Sequence, residues 1–211
     1  MPSSVNISTG CCIPSRVVSN SHFLNHEFFW PDGARMAITV LLHLEYCELQ
    51  PPEGSVRDNR FTGEYGFYYP EYRPFTQREY GNRIGIFRVL KALDAFDFNI
   101  TVAANAAALV RYPELVQALQ GRGCEFIAHG ETQTQMLSSA MSEDEERAVI
   151  SRTTDTFKLA LGYQPDGWLG PDSGESPRTP QLLAEAGYRY VLDWPNDDQP
   201  YPMKTTPPLV S

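Results

Sequence analysis

The sequence lacks most of the signatures that announce a common chemistry. It has no G-x-S-x-G elbow, no G-x-x-x-x-G-K-[ST] loop and no G-x-G-x-x-G fingerprint. Acyl-serine chemistry, nucleoside-triphosphate hydrolysis and dinucleotide binding therefore have no motif to rest on. The four cysteines (Cys11, Cys12, Cys47, Cys124) show no C-x-x-C spacing, which argues against a zinc knuckle or a disulfide framework. Cys47 reads as a small buried residue. No apolar run approaches membrane-spanning length, and the opening MPSSVNISTGCCIPSR lacks the apolar centre of a signal peptide. Positive charge is scarce: 17 Lys and Arg stand against 26 Asp and Glu, a net charge of -9. Phosphate recognition needs clustered Lys and Arg, so nucleic acid and membrane are not expected partners. A small-molecule substrate and a cytoplasmic setting are expected instead.

What is present is an ordinary globular composition, 42% hydrophobic and 20% charged over 211 residues, enough for one domain. Residues 1–30 lack periodicity until HFLNHEFFW and read as an arm, its aromatics (Phe23, Phe28, Phe29, Trp30) docking on the domain or on a neighbouring subunit. From residue 31 to 211 strands and helices alternate. Buried-type strands are expected near 36–45 and 99–104, in CEFIAH, in DGWLG and in YRYVLDW. Helices are expected over 78–96, in YPELVQALQGRG with its proline start and glycine end, and in SPRTPQLLAEAG. The clearest helix is SEDEERAVISRTTDTFKLALG, where Ser142 and Glu145 form a capping box, acids crowd the first turn and Gly162 is the C-cap. Ile150, Thr154, Phe157 and Leu161 share one face of it. Such alternation means parallel strands with right-handed crossovers, in a sheet either open or closed into a barrel. An insertion at about 46–78, dense in tyrosine, leaves the first strand's C-terminal end. It reads as a lid or as a subunit contact built on Tyr65, Phe67, Tyr68, Tyr69 and Tyr72, and a homo-oligomer is expected.

In parallel α/β folds the C-terminal strand ends share one rim, and that rim carries the site. Here it collects His43, Glu45 and Glu48 after strand one, Asn105 after strand two, and His129, Gly130 and Glu131 after strand three. Trp168 follows in strand four, and Asp193 and Trp194 in strand five. The expected catalytic set is Glu45, His129 and Asp193, with Glu48 and Glu131 in reserve. Glu131, Trp168, Trp194 and Asn105 are expected to bind substrate. An unpaired carboxylate beside a buried strand is costly, which favours a functional Glu45. His43 points to the same face as Glu45 and reads as its structural hydrogen-bond partner. Gly130 lets a ligand approach the backbone closely. The bland alternatives are a satisfied core histidine at His129, solvated acids at Glu48 and Glu131, a cap at Asp193, and core packing for Trp168 and Trp194.

These strand-end motifs resemble the NodB-type polysaccharide deacetylase superfamily, and more closely its allantoinase-like and cyclic-imide-hydrolase-like branch. The matching pieces are WPDGARMAITVLLHLEY, REYGNRIGIFRVLKALD, ELVQALQGRGCEFIAHG, MSEDEERAVISRTTDTF, GWLGPDSGESPRTPQLLAEAGYRYVLDWPNDDQPY and PLVS, nearly everything from Trp30 to Ser211. The resemblance implies an α/β fold, a distorted (β/α) barrel. It also implies hydrolysis of a non-peptide carbon–nitrogen bond. The resembling enzymes continue past PPLVS, so this barrel is expected to be incomplete at its C-terminal end. In the metal-dependent members an Asp-Asp pair ends the first strand, and an H-x-x-x-H pair, an Arg-x-Pro and a late Asp-x-x-Asp-Trp follow. Here Glu45 stands at the acidic pair with Tyr46 after it. His129 matches the first histidine, and Gln133 replaces the second. Trp168, Leu169 and Pro171 stand at Arg-x-Pro without the arginine, and Asp193 and Trp194 keep the last motif's end.

Hydrolytic zinc takes three protein ligands and an open position, and glutamine is a poor substitute for imidazole. The expectation is therefore no cofactor. Glu45 or His129 would activate water as a general base for attack on a small cyclic amide, imide or ureide. Backbone N–H groups near Gly130 or the Trp168–Gly170 turn, or a protonated His129, would steady the oxyanion. The alternatives are a metal-dependent deacetylase of N-acetyl sugars, its divalent metal (zinc) on His129 and Glu45, and a binding scaffold that has lost its activity.

Overall fold

The computed structural model describes residues 30–55, 66, 68–96, 98–195 and 199–211. The expected arm, with Phe23, Phe28 and Phe29, and the insertion's Tyr65 and Phe67 lie outside the described residues. Five parallel strands run β1 (Val40–Leu44), β2 (Ile100–Ala104), β3 (Glu125–Ala128), β4 (Gly167–Trp168) and β5 (Tyr190–Val191). They pair in sequence order, β1-β2-β3-β4-β5. A doubly wound sheet reverses its order at a switch point. This sheet does not, and its progression is that of a (β/α) barrel wall. Val210 continues the progression, bridging Tyr190 in parallel through Val191 N–H to Val210 C=O at 2.8 Å.

Strand parity divides the core. Leu44, Val102, Ala104, Phe126, Ala128, Trp168 and Val191 face the helices and belong to the main cluster of buried residues. Ala103, Ile127 and Leu169 form the opposite face with Leu41 and Tyr190. Side chains alternate along a strand, so His43 and the residue after β3, His129, fall on this second face. The first strand is shorter than the expected 36–45. Met36 and Ile38 are exposed, and pairing begins at Val40 opposite Ile100.

The helices differ from expectation at two places. The segment expected to be helical from residue 78 starts at Tyr72. It runs as α1 (Tyr72–Tyr80), a π-helical turn (Gly81–Gly85) and α2 (Ile86–Leu93), so the last part of the insertion is helix. Pro74 sits in its first turn, where the missing N–H costs nothing. A short α3 (Ala106–Arg111) also precedes α4 (Pro113–Gly121), its start marked by Asn105 rather than by apolar periodicity.

Helix α5 (Glu143–Leu161) has the expected capping box and a left-handed Gly162 at its end. Its Glu146 is fully buried and accepts from Arg178, from Ser176 Oγ at 2.8 Å and from Thr179 Oγ1 at 3.0 Å. That cluster ties α5 to the start of α6 (Thr179–Glu185). Removing Glu146 leaves the buried Ser176 and Thr179 hydroxyls without their acceptor, while Arg178 is partly exposed and can turn to solvent. Glu146→Ala is expected to cost about 1–3 kcal/mol, read as a lowered urea midpoint.

Candidate metal centre

His43 and Glu45 leave β1 two residues apart on the face away from the helices, and His129 follows β3 on the same face. The register brings them together. His129 N–H donates to Ala104 C=O at 2.9 Å. The Asn105 side chain, fully buried, donates to His129 C=O and accepts from Tyr46 N–H at 3.0 Å. One amide thus joins the ends of the first three strands. Gly130, at φ 67°, then turns the chain, so that its carbonyl and that of Glu131 receive the first N–H groups of α3 at 2.9 and 3.0 Å.

Glu45 is the focus. His129 Nε2 lies 3.3 Å and His43 Nδ1 3.6 Å from Glu45 Oε1. Arg78 Nε donates to Glu45 Oε2 at 2.8 Å. Asn82, on the π-helical turn, donates to the Glu45 backbone carbonyl at 2.7 Å. π-Helical turns often mark functional sites, and this one carries Asn82 onto the end of β1. Burial works to raise the Glu45 pKa. Hydrogen bonds with His129 and His43 and the Arg78 charge outweigh it, holding the carboxyl well below the usual carboxylate range.

The expectation of no metal is overturned here. Donor atoms of His43, Glu45 and His129 all lie within 4.8 Å of one another. Leu169 C=O lies 2.6 Å from His129 Nδ1 and can only accept, so Nδ1 carries a proton. Nε2 then faces the Glu45 carboxylate oxygen. Two lone pairs at 3.3 Å repel unless a proton or a cation lies between them. Two imidazoles and a carboxylate suit zinc, three protein donors are the count of hydrolytic zinc sites, and a carbonyl on the far nitrogen is the usual second-shell support for a ligating histidine. The residues present fit a divalent metal. The expected set missed His43, because a histidine beside a carboxylate satisfies a structural reading.

A cavity of about 360 Å³ opens on the cluster, lined by Arg78, Gln133, Leu169, Gly170, Asp172 and Ser173 besides the three donors. Gln133 thus faces the site. The wall at 171–173 is tight and strained. A Cβ on Gly130 would lie 2.8 Å from Pro171 Cγ, and Asp172 and Ser173 hold left-handed φ of 51° and 54°. The close approach that Gly130 permits is made by Pro171. Non-glycine residues in this region cluster at functional sites.

The other expected residues lie further out. Trp168 is fully buried on the helix side of the sheet, edge-on to Tyr188 at 5.4 Å. Glu131 makes a two-point ion pair with Arg152, and Glu48 accepts from Thr134 and Gln135. Asn105 is spent on the backbone. Asp193 is buried behind the site, both carboxylate oxygens 2.9 Å from Gly170 N–H. Trp194 Nε1 donates to Glu175 Oε2 at 2.5 Å. Glu175, a residue with no sequence signal, pairs with Asp193. Burial first, then the hydrogen bond and charge of Asp193, push the Glu175 carboxyl up to about 10. Burial also raises Asp193, against the pull of Glu175, Gly170 N–H and His129. Two buried carboxyls this close share a proton, which the pair holds well above the usual carboxylate range.

The polysaccharide deacetylase family model matches residues 81–191, just over half of the 211 residues, and the chain belongs to that family. Among solved structures it is similar to Puue allantoinase, with 26% identity and a TM-score of 0.69, over 86% of this chain and 62% of that one. It is equally similar to a probable polysaccharide deacetylase from Pseudomonas aeruginosa PAO1, with 26% identity and a TM-score of 0.68, over the same shares of the two chains. The chain thus spans about three fifths of the length of these structures. No curated protein sequence matches it significantly. No helix among the described residues is long and apolar enough to cross a membrane.

The Glu175 proton has a stability consequence. Unfolded, Glu175 ionises near 4.5; folded, it keeps its proton up to about 10. Between those values the folded state binds more protons, so its stability falls as pH rises, by at most about 1.4 kcal/mol per pH unit. Glu175→Gln cannot ionise. Its urea midpoint is expected to vary less than the wild type's between pH 5 and 9, and to exceed it at pH 9.

Proposed function

We propose that the protein is a metal-dependent hydrolase of a non-peptide carbon–nitrogen bond, with His43, Glu45 and His129 holding a divalent cation. The observation that carries this reading is the convergence of two imidazoles and one carboxylate within 4.8 Å on a cavity wall. Family membership supports the bond class. When bound, the cation supplies Lewis-acid polarisation of a carbonyl and a lowered pKa for water.

The chain's own groups do the rest. Leu169 C=O takes the His129 Nδ1–H and fixes the ring, so that Nε2 is the nitrogen aimed at Glu45 and into the site. Arg78 neutralises the second oxygen of Glu45 and keeps that carboxylate from rotating. Glu45, held well below the usual carboxylate range, is a weak proton acceptor and serves as a ligand. Besides Glu45, the carboxylate that lines the cavity is Asp172, and it is the group to accept a water proton. Gln133 offers a donor to a substrate carbonyl from the same wall.

Two substrates fit this chemistry. An N-acetyl sugar is supported by the family. A small cyclic ureide or imide is supported by the likeness to an allantoinase and by a cavity of about 360 Å³, near the lower end of ligand-site volumes. Self-association through the exposed Tyr68, Tyr69 and Tyr72 belongs to the same proposal. Chelator-stripped protein assayed on N-acetylated chitooligosaccharides and on hydantoin-type rings, before and after zinc, tests the reading. Turnover on one class is expected to drop at least about 100-fold on stripping, to return with zinc, and to be absent in His129→Ala. Turnover indifferent to both the chelator and His129→Ala contradicts it.

A further inference from the structure

Asp193 touches neither the metal cluster nor the cavity, yet a single peptide group joins it to His129. Leu169 C=O and Gly170 N–H belong to one peptide. Its bond is trans, since the cis bonds among the described residues are Tyr69-Pro70 and Thr206-Pro207, so the carbonyl and the N–H point in opposite directions. The carbonyl receives His129 Nδ1–H at 2.6 Å. The N–H donates to both oxygens of Asp193 at 2.9 Å. His129 and Asp193 are both buried, where hydrogen bonds polarise one another. A carboxylate pulling on the N–H pushes electron density onto the carbonyl oxygen of the same amide. That oxygen then holds the imidazole proton more strongly and makes Nε2 a better electron-pair donor.

We propose that the Leu169–Gly170 peptide relays the charge of Asp193 to His129, so that Asp193 is a positioning residue that sets the metal affinity of the site. Glu175 completes the device. Its Oε2 accepts from Trp194 Nε1 alone, whereas both oxygens of Asp193 accept from Gly170 N–H, which favours the charge of the acid pair on the carboxylate that faces Gly170. The consequence for affinity rests on the metal reading above, whereas the relay itself is present without a metal.

Asp193→Asn is the direct test, because asparagine keeps an acceptor for Gly170 N–H and removes the charge. Zinc affinity, measured against a chromogenic chelator, is expected to fall about 10- to 100-fold, the usual effect of losing a second-shell carboxylate. In metal-free protein the His129 Nδ1–H proton resonance is expected to move upfield in the same variant. Glu175→Gln, which still offers a donor to Asp193, is expected to keep zinc affinity within about twofold of wild type. An Asp193→Asn protein with an unmoved Nδ1–H resonance overturns the relay, whatever its zinc affinity. If the wild type binds no zinc, the metal reading fails, and the resonance still decides the relay. Should Asp193→Asn not fold, the wild-type Gly170 amide proton decides it. A strongly downfield shift supports a charge-assisted bond, and an ordinary shift overturns it.

Discussion

The structure depends on one carboxylate kept charged at the end of a buried strand. Burying Glu45 without partners would be prohibitive, and each neighbour answers part of that cost. Arg78 takes one oxygen, His43 and His129 crowd the other, and Asn82 takes the backbone carbonyl. Those partners come from the strand itself, from the strand end two places along the sheet and from a helix that leaves the insertion. Parallel pairing in strand order is what lets all of them reach one point. The site is therefore a property of the sheet's register, and the π-helical turn is the local irregularity that brings the insertion's helix down onto it.

A second layer supports the first. Asn105 binds three strand ends through two hydrogen bonds, and the Leu169–Gly170 peptide connects His129 to an acid pair behind it. The turn after it is packed so closely on Gly130 that a methyl group would not fit. Asp172 and Ser173 hold left-handed backbone there, on the wall of the cavity that the cluster lines. The strain is local, and the proline–glycine contact fixes it.

Much of the fold could be read from residue patterns. The capping box of Ser142 and Glu145, the proline start of α4 and the strand–helix alternation are local signals, and each corresponds to an observed element. Glu45 and His129 were legible because polar residues ending apolar runs are few. The partners were harder. Arg78 and Asn82 act across more than thirty residues, on a helix whose start lay in a segment without apolar periodicity. Trp168 illustrates a different limit. β4 pairs through two residues only, too short to show a period, so nothing in the sequence told which of Trp168 and Leu169 faces the site. Gln133 drew attention away from His43, since a missing ligand in one familiar spacing says nothing about a ligand supplied by another strand.

X-ray absorption spectroscopy on the zinc-loaded protein tests the central claim most directly. If Glu45 organises a His43–Glu45–His129 centre, the zinc edge should show imidazole scattering from two histidines and an oxygen-donor remainder, reduced to one histidine in His43→Ala. A zinc environment without histidine scattering, or one unchanged by His43→Ala, would contradict the account.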